Sequence, residues 1–277
     1  MSEVAVSTGK WSNVPARIGT ALAIAAVVLV FLWAGGWWWA GLIALGAGRI
    51  AYEWARMSNI RAGGVTYNPW QLVAGVVAVV FVFAWLGWSL FLLLALAAGV
   101  VGLLLSGQFR ASWAGIGPLY IIGPAIAAVW LRNGGTGFDT PGAQRVLFVI
   151  LVVVAADIGA YFSGKTIGGP KFIPRLSPNK TWAGFAGGLV AGALLGGVLA
   201  ELGSDDFFDG VLVGLVLVVA AVAGDFLESG FKRHFGVKDT GGILPGHGGV
   251  LDRVDSHMAA LTVAAVVIAL APGLSPV

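Results

Sequence analysis

Two polar stretches interrupt an otherwise apolar chain, and each follows a carboxylate embedded in an apolar run. The second stretch holds the richer set. Asp225 and Glu228 stand three residues apart, as do Asp252 and Asp255, so a helix would present each pair on one face. Between and beside them lie Lys232, Arg233, Lys238, Asp239, His247 and Arg253, interleaved with Gly241, Gly242, Gly246, Gly248 and Gly249. Carboxylate oxygens suit Mg²⁺, which usually takes one or two of them and shares a substrate's phosphates. Basic side chains would neutralise the remaining phosphate charge. Glycines let backbone N–H groups come close to phosphate oxygens. The expected chemistry is that of a phosphate–metal site, with one or two cations.

The first stretch, 163–181, carries Lys165, Lys171, Arg175, Ser177, Lys180 and Thr181, and it follows Asp157. An ionised carboxylate deep in a membrane span costs roughly 2.5–3.5 kcal/mol on insertion scales, so Asp157 and Asp225 each need a cation, a proton or water. Taken singly, either acid is explained as well by an ion pair with a nearby Lys or Arg. Gly159 to Thr166 also fits the P-loop pattern G-x-x-x-x-G-K-[ST] letter for letter. A P-loop needs a strand before it and a helix after it. Here Ile167-Gly168-Gly169-Pro170 breaks any following helix, and the preceding run reads as a span.

The elements that position these residues are set by composition. The chain has 277 residues, 58% hydrophobic and 10% charged, against roughly 25% charged in soluble domains. That deficit marks a membrane protein. A net charge of +3 is too small to argue for a nucleic-acid partner, and the absence of cysteine excludes disulfides, zinc thiolates and cysteine nucleophiles. About 20 apolar residues span the hydrocarbon core as a helix. Nine segments approach that length: 18–35, 37–52, 70–86, 88–106, 113–131, 146–162, 182–200, 211–228 and 258–271. A tryptophan opens five of them, as at a membrane interface. The second is the weakest, because Arg49 and Glu53 fall in its last turns; spaced i,i+4, they can pair. A cleaved leader would also fit the first run, but the tryptophan-rich continuation reads better as a loop between spans.

The expected fold is therefore all-α, a polytopic membrane protein of about nine helices with a cytoplasmic N-terminus. In that arrangement every basic residue except Arg132 and Arg145 falls on the inner side, as the positive-inside rule requires. The C-terminus then lies outside. One domain, 1–277, is expected, with a mainly membrane-spanning half, 1–140, and a catalytic half, 141–277. Its two cytoplasmic loops are 163–181 and 230–255. Gly184, Gly188, Gly192 and Gly196 line one helix face, which fits close packing in lipid either within the chain or across a homodimer.

The second loop, Ser229-x-Phe-Lys-Arg-x4-Lys-Asp-x-Gly-x2-Leu-Pro-x-His-Gly-Gly-Val-x-Asp-Arg-Val-Asp255, resembles the signature of the phosphatidate cytidylyltransferase (CDP-diacylglycerol synthase) family. Gly224 to Glu228, Asp157 to Tyr161 and Ser177 to Trp182 are similar to that family as well. One departure is Ala183, where the family often has a glutamate. The specific motifs cover 157–255; the many spans match throughout. The resemblance implies an Mg²⁺-dependent reaction of phospholipid biosynthesis, in which CTP and phosphatidate give CDP-diacylglycerol and pyrophosphate at the inner membrane. It implies catalytic roles for Asp225, Asp252, Asp255, Lys232 and Arg233. The metal candidates are Asp225, Asp252, Asp255, Glu228 and, in second rank, Asp157. Ser177, Lys180, Thr181, Lys238, Asp239, His247, Gly248, Gly249 and Arg253 are the substrate-binding candidates. Because the attacking lipid phosphate is already ionised, no base is needed, and His247 is expected to hydrogen-bond phosphate.

Two other readings make different demands. A transferase acting on an isoprenoid ether lipid or a polyprenyl phosphate would need the same polar motifs. A transporter would use Asp157 and Asp225 as ion sites, but it would not need two basic, glycine-rich loops on one face.

Overall fold

The computed structural model describes residues 14–59, 68–86, 116–174, 176–243 and 248–274. Among the described residues eight α-helices follow one another: α1 (Val14–Ala34), α2 (Gly36–Asn59), α3 (Pro69–Leu86), α4 (Ile116–Leu131), α5 (Pro141–Thr166), α6 (Trp182–Leu202), α7 (Phe207–Phe235) and α8 (Leu251–Leu270). Among the described residues, five helices are long and apolar enough to cross a membrane: α3, α5, α6, α7 and α8. Shorter apolar stretches, Gly19–Ala34 and Gly117–Leu131, lie in α1 and α4. The expected span at 88–106 falls outside the described residues. An all-α, polytopic membrane protein is thus what the chain builds, with five clear spans rather than nine among the described residues.

Local sequence sets the helix ends. Thr140 caps α5 by accepting the Ala143 N–H, and Pro141 opens the helix, where a missing N–H costs nothing. Asp206 caps α7 through Phe208 N–H at 2.8 Å and Asp209 N–H at 3.2 Å. Gly236 ends α7 in the left-handed region at φ 73°, which glycine adopts without strain.

The helices outrun the apolar windows from which they were predicted. α7 continues past Glu228 to Phe235, and α8 begins at Leu251 rather than at 258. A hydropathy window stops at a charge, but the backbone does not. Glu228 and Lys232 pair i,i+4 on α7, which offsets their charges within the helix. The second loop therefore shrinks to 236–250, and Lys232, Arg233, Asp252, Arg253 and Asp255 all ride on helices. The first loop shrinks to 167–181, since α5 runs to Thr166, and the P-loop look-alike lies wholly inside α5.

α5, α6, α7 and α8 pack in succession. The glycine stripe of α6 is what lets them approach. A Cβ on Gly184 or Gly188 would stand 3.1 Å from Ala160 O or 3.0 Å from Ala156 O of α5. One on Gly196 would stand 2.5 Å from Gly210 O of α7. The stripe is thus consumed inside the chain, where small residues give close van der Waals contact in lipid. Val152, Val153, Leu217, Val218, Ala260 and Ala264 fill the core between these helices.

At the end of α4, Arg132 is buried and ties the end of α1 to the following loop. Its Nε donates to Leu32 O at 2.6 Å and its Nη2 to Trp33 O and Gly135 O at 3.3 and 3.1 Å. Leu32 O and Trp33 O lie in the last turn of α1, where a helix leaves carbonyls without intrahelical partners. Arg132→Ala should cost roughly 2–4 kcal/mol, the scale of losing charge-assisted bonds and stranding their acceptors. Thermal unfolding in detergent would measure it; activity per folded molecule should not change.

Candidate functional site

Two structural pieces converge on the inner face of α7. The first is the 167–181 segment, a tongue closed by a β-bridge between Lys171 and Thr181. Phe172 N–H donates to Lys180 O at 2.9 Å, and Trp182 N–H to Pro170 O at 3.1 Å. Gly168 and Gly169, at φ 67° and 92°, make the turn out of α5. The ring of Phe172 packs against Trp182, Phe185 and Phe226 at centroid distances of 4.3, 4.9 and 5.4 Å. So fixed, the tongue delivers Lys180 to α7, where its ammonium pairs with Asp225 and lies 4.9 Å from the Phe226 ring. Burial holds the Lys180 ammonium below the usual lysine pKa, while Asp255, Asp157 and Glu228 pull it back up.

The second piece is the junction of α7 and α8. Asp225 and Glu228 from α7 meet Asp255 from α8, with one carboxylate oxygen of each within 4.8 Å of the others. Glu228 is 1% exposed. Lys232 Nζ lies 2.6 Å from its Oε2, an ion pair too poorly aligned to be a hydrogen bond, and Oε1 has no hydrogen-bond partner among the described residues. An all-oxygen set with a buried, unpartnered carboxylate oxygen fits a hard divalent cation.

Asp252 stands one turn from that trio and is otherwise engaged. Its Oδ1 accepts from Lys232 Nζ at 3.0 Å, and its Oδ2 from Thr240 N–H at 3.0 Å and Gly249 N–H at 2.8 Å. Lys232 therefore bridges α7 and α8 through Glu228 and Asp252. On the Lys180 side of this arrangement opens a cavity of about 550 Å³. Ala156, Ala160, Gly184 and Gly188 give it a smooth apolar wall, and Asp157, Asn179 and Lys180 give it a polar end.

The remaining sequence candidates distribute as follows. Thr181 is buried, and its hydroxyl caps α6 by accepting the Gly184 N–H at 3.0 Å. Ser177 N–H closes a turn of the tongue on Ile173 O at 3.0 Å. Arg233, Lys238, Asp239 and Arg253 are exposed. Gly248 takes φ 85°, and a Cβ there would stand 2.8 Å from Asp252 Oδ2. His247 lies outside the described residues.

The sequence pattern of the cytidylyltransferase family matches residues 15–271, nearly the whole chain. The chain belongs to the cytidylyltransferase family. It is 36% identical over 257 residues to the phosphatidate cytidylyltransferase of Brucella suis, covering 90% of this chain and 91% of that protein. The phosphatidate cytidylyltransferase of Brucella melitensis matches over the same extent. That of Staphylococcus aureus is 50% identical over 121 residues, 42% of this chain and 46% of that protein.

One residue at this family's site was not legible as functional. Glu53 on α2 is 1% exposed, and its two oxygens accept the N–H groups of Val250 and Leu251, each at 2.9 Å. Its i,i+4 ion pair with Arg49, at 3.0 Å, was the only signal of it, and that signal read as a helix-end pair.

Proposed function

We propose that this chain is a phosphatidate cytidylyltransferase of the inner membrane, converting CTP and phosphatidate to CDP-diacylglycerol and pyrophosphate. One observation carries the reading beyond family membership. A lysine from one polar segment reaches the acids of the other beside an apolar-walled cavity. Such a site suits an acceptor with its acyl chains in lipid and its phosphate at the interface. The basic residues gathered in the two polar segments favour the cytoplasmic side for that site, where CTP arrives.

In the proposed reaction a phosphatidate phosphate oxygen forms a bond to the α-phosphorus of CTP. The bond from that phosphorus to the bridging oxygen breaks, and its electron pair leaves with pyrophosphate. The acceptor is already ionised, so no proton has to be removed. Asp225, Glu228 and Asp255 would hold Mg²⁺, with Asp157 close by and Asp252 able to join through Oδ1. Bound there, the ion would supply Lewis-acid stabilisation of phosphate charge. Lys180 and Lys232 stand over the reacting phosphates and balance charge that builds on them. Arg233, Lys238 and Arg253 attract the triphosphate, Ser177, Asp239, Gly248 and Gly249 are its further contacts, and His247 is proposed from its sequence motif to hydrogen-bond phosphate.

Purified protein in detergent with phosphatidate should transfer label from α-³²P CTP into lipid, and none from γ-³²P CTP. Transfer should need Mg²⁺. Absence of lipid label from α-³²P CTP at any Mg²⁺ concentration would refute the reaction; label from a polyprenyl phosphate acceptor alone would redirect it.

A further inference from the structure

α8 starts without a cap of its own. Val250 occupies the capping position and makes no side-chain hydrogen bond there. A helix start left so exposes N–H groups that must find acceptors. Glu53 supplies them from α2. Its Oε1 takes Val250 N–H and its Oε2 takes Leu251 N–H, so one carboxylate grips the first turn of α8 with both oxygens. The negative charge sits where the helix dipole favours it.

The grip extends into the loop. Thr240 Oγ1 lies 3.2 Å from Glu53 Oε2 and 3.1 Å from Asp252 Oδ2, standing between the two carboxylates with one proton to give. Asp252 Oδ2 also takes Thr240 N–H and Gly249 N–H, and its Oδ1 takes Lys232. Space around Glu53 is fully used. A Cβ on Gly241 would stand 2.9 Å from Glu53 Oε1, and one on Gly249 would stand 2.7 Å from Glu53 Oε2. The Glu53 carboxylate, joined at Gly249 by Thr240 Oγ1, fills the place of their side chains. Proximity to phosphate is not required to explain them.

We infer that Glu53 is a positioning residue of this site: from α2 it fixes Thr240, Gly249 and Val250 at the start of α8, and through Thr240 and Asp252 it sets the place of Lys232. The inference rests on the cytidylyltransferase reading for its kinetic consequences, not for its geometry. It gives the N-terminal half of the chain a part in the chemistry of the C-terminal half. Arg49, paired with Glu53 at 3.0 Å, keeps the carboxylate aimed.

The test uses full-length protein purified in detergent. Glu53→Gln keeps the side chain's shape but replaces one acceptor oxygen with a donor that faces an N–H. It should raise the CTP KM and the half-activating Mg²⁺ concentration about 10–100-fold, the range seen when outer supports of a metal site are removed. It should also speed trypsin cleavage after Lys238. A purely structural residue would lower Tm and the active fraction but would move neither KM nor the Mg²⁺ midpoint. Thr240→Val should shift both in the same direction severalfold, and Thr240→Ser should restore them, since it keeps the hydroxyl. Wild-type values for Glu53→Gln in all three readouts would overturn the inference. Should that variant fail to fold, wild-type values for Thr240→Val would overturn it instead. A wild-type protein that makes no CDP-lipid would sink the reaction, while faster cleavage after Lys238 in Glu53→Gln would still support the positioning role.

Discussion

Asp225→Asn should lower CDP-lipid formation by about a thousandfold while the protein stays folded. Asp225 belongs to two arrangements at once: it pairs with Lys180 from the tongue, and it offers an oxygen to the group formed with Glu228 and Asp255. Asparagine matches its size but carries no charge, so it loses both the ion pair and most of the affinity for a hard cation. Losing one preorganised electrostatic contact to a reacting centre typically costs about 10²–10³ in kcat, and here two are lost together. Stability should change little. The substitution breaks an ion pair but also removes a partly desolvated carboxylate, and these terms oppose each other. Steady-state rates and thermal unfolding of the same preparation would separate the two effects. A rate within about threefold of wild type would take Asp225 out of the site.

The second large effect is expected at a residue with no chemistry of its own. Gly224 sits beside Asp225 where α7 crosses α8. A Cβ there would stand 2.6 Å from Ala259 Cβ and 2.8 Å from the carbonyl oxygen of Asp255. Neither neighbour is the free end of a flexible chain, so the helices must part. Their separation is what holds Asp225 and Glu228 within reach of Asp255. A shift of about 1 Å at a reacting site can cost 10²-fold in rate, and Gly224→Val should lose at least that. Gly224→Ala should lose less. Adding Ala259→Gly to it removes the Cβ–Cβ overlap but leaves the Asp255 carbonyl crowded, so recovery should be partial. Wild-type turnover for Gly224→Val would show that this crossing does not set the site.

Much of the site could be read from residue types in order, because pairs three apart on one helix must share a face. That rule found Asp225 with Glu228 and Asp252 with Asp255. It could not say which member of the second pair turns toward α7. That depends on the rotation of α8 about its axis, which the Gly224 crossing and the Glu53 grip decide. Asp255 completes the trio with Asp225 and Glu228, and Asp252 faces the loop and Lys232. Thr181, expected to contact phosphate, also caps α6 by accepting the Gly184 N–H, a local role that leaves its own O–H to donate elsewhere. Span limits erred for one consistent reason. Apolar windows end where charges gather, whereas α7 and α8 carry ion-paired charges towards the ends that meet, and Lys165 in the last turn of α5 lies against Tyr161. Glu53 was hidden more deeply, since its partners lie almost two hundred positions along the chain. No local spacing encodes such a contact.

Binding of Mn²⁺ to the purified protein, followed by loss of the free-ion EPR signal with CTP present and no lipid acceptor, tests the metal-binding carboxylates themselves. Wild-type protein should hold Mn²⁺ saturably, and Asp225→Asn/Asp255→Asn should not, although it remains folded. Equal Mn²⁺ binding by the two proteins would mean that these carboxylates are not where the metal and the phosphates meet.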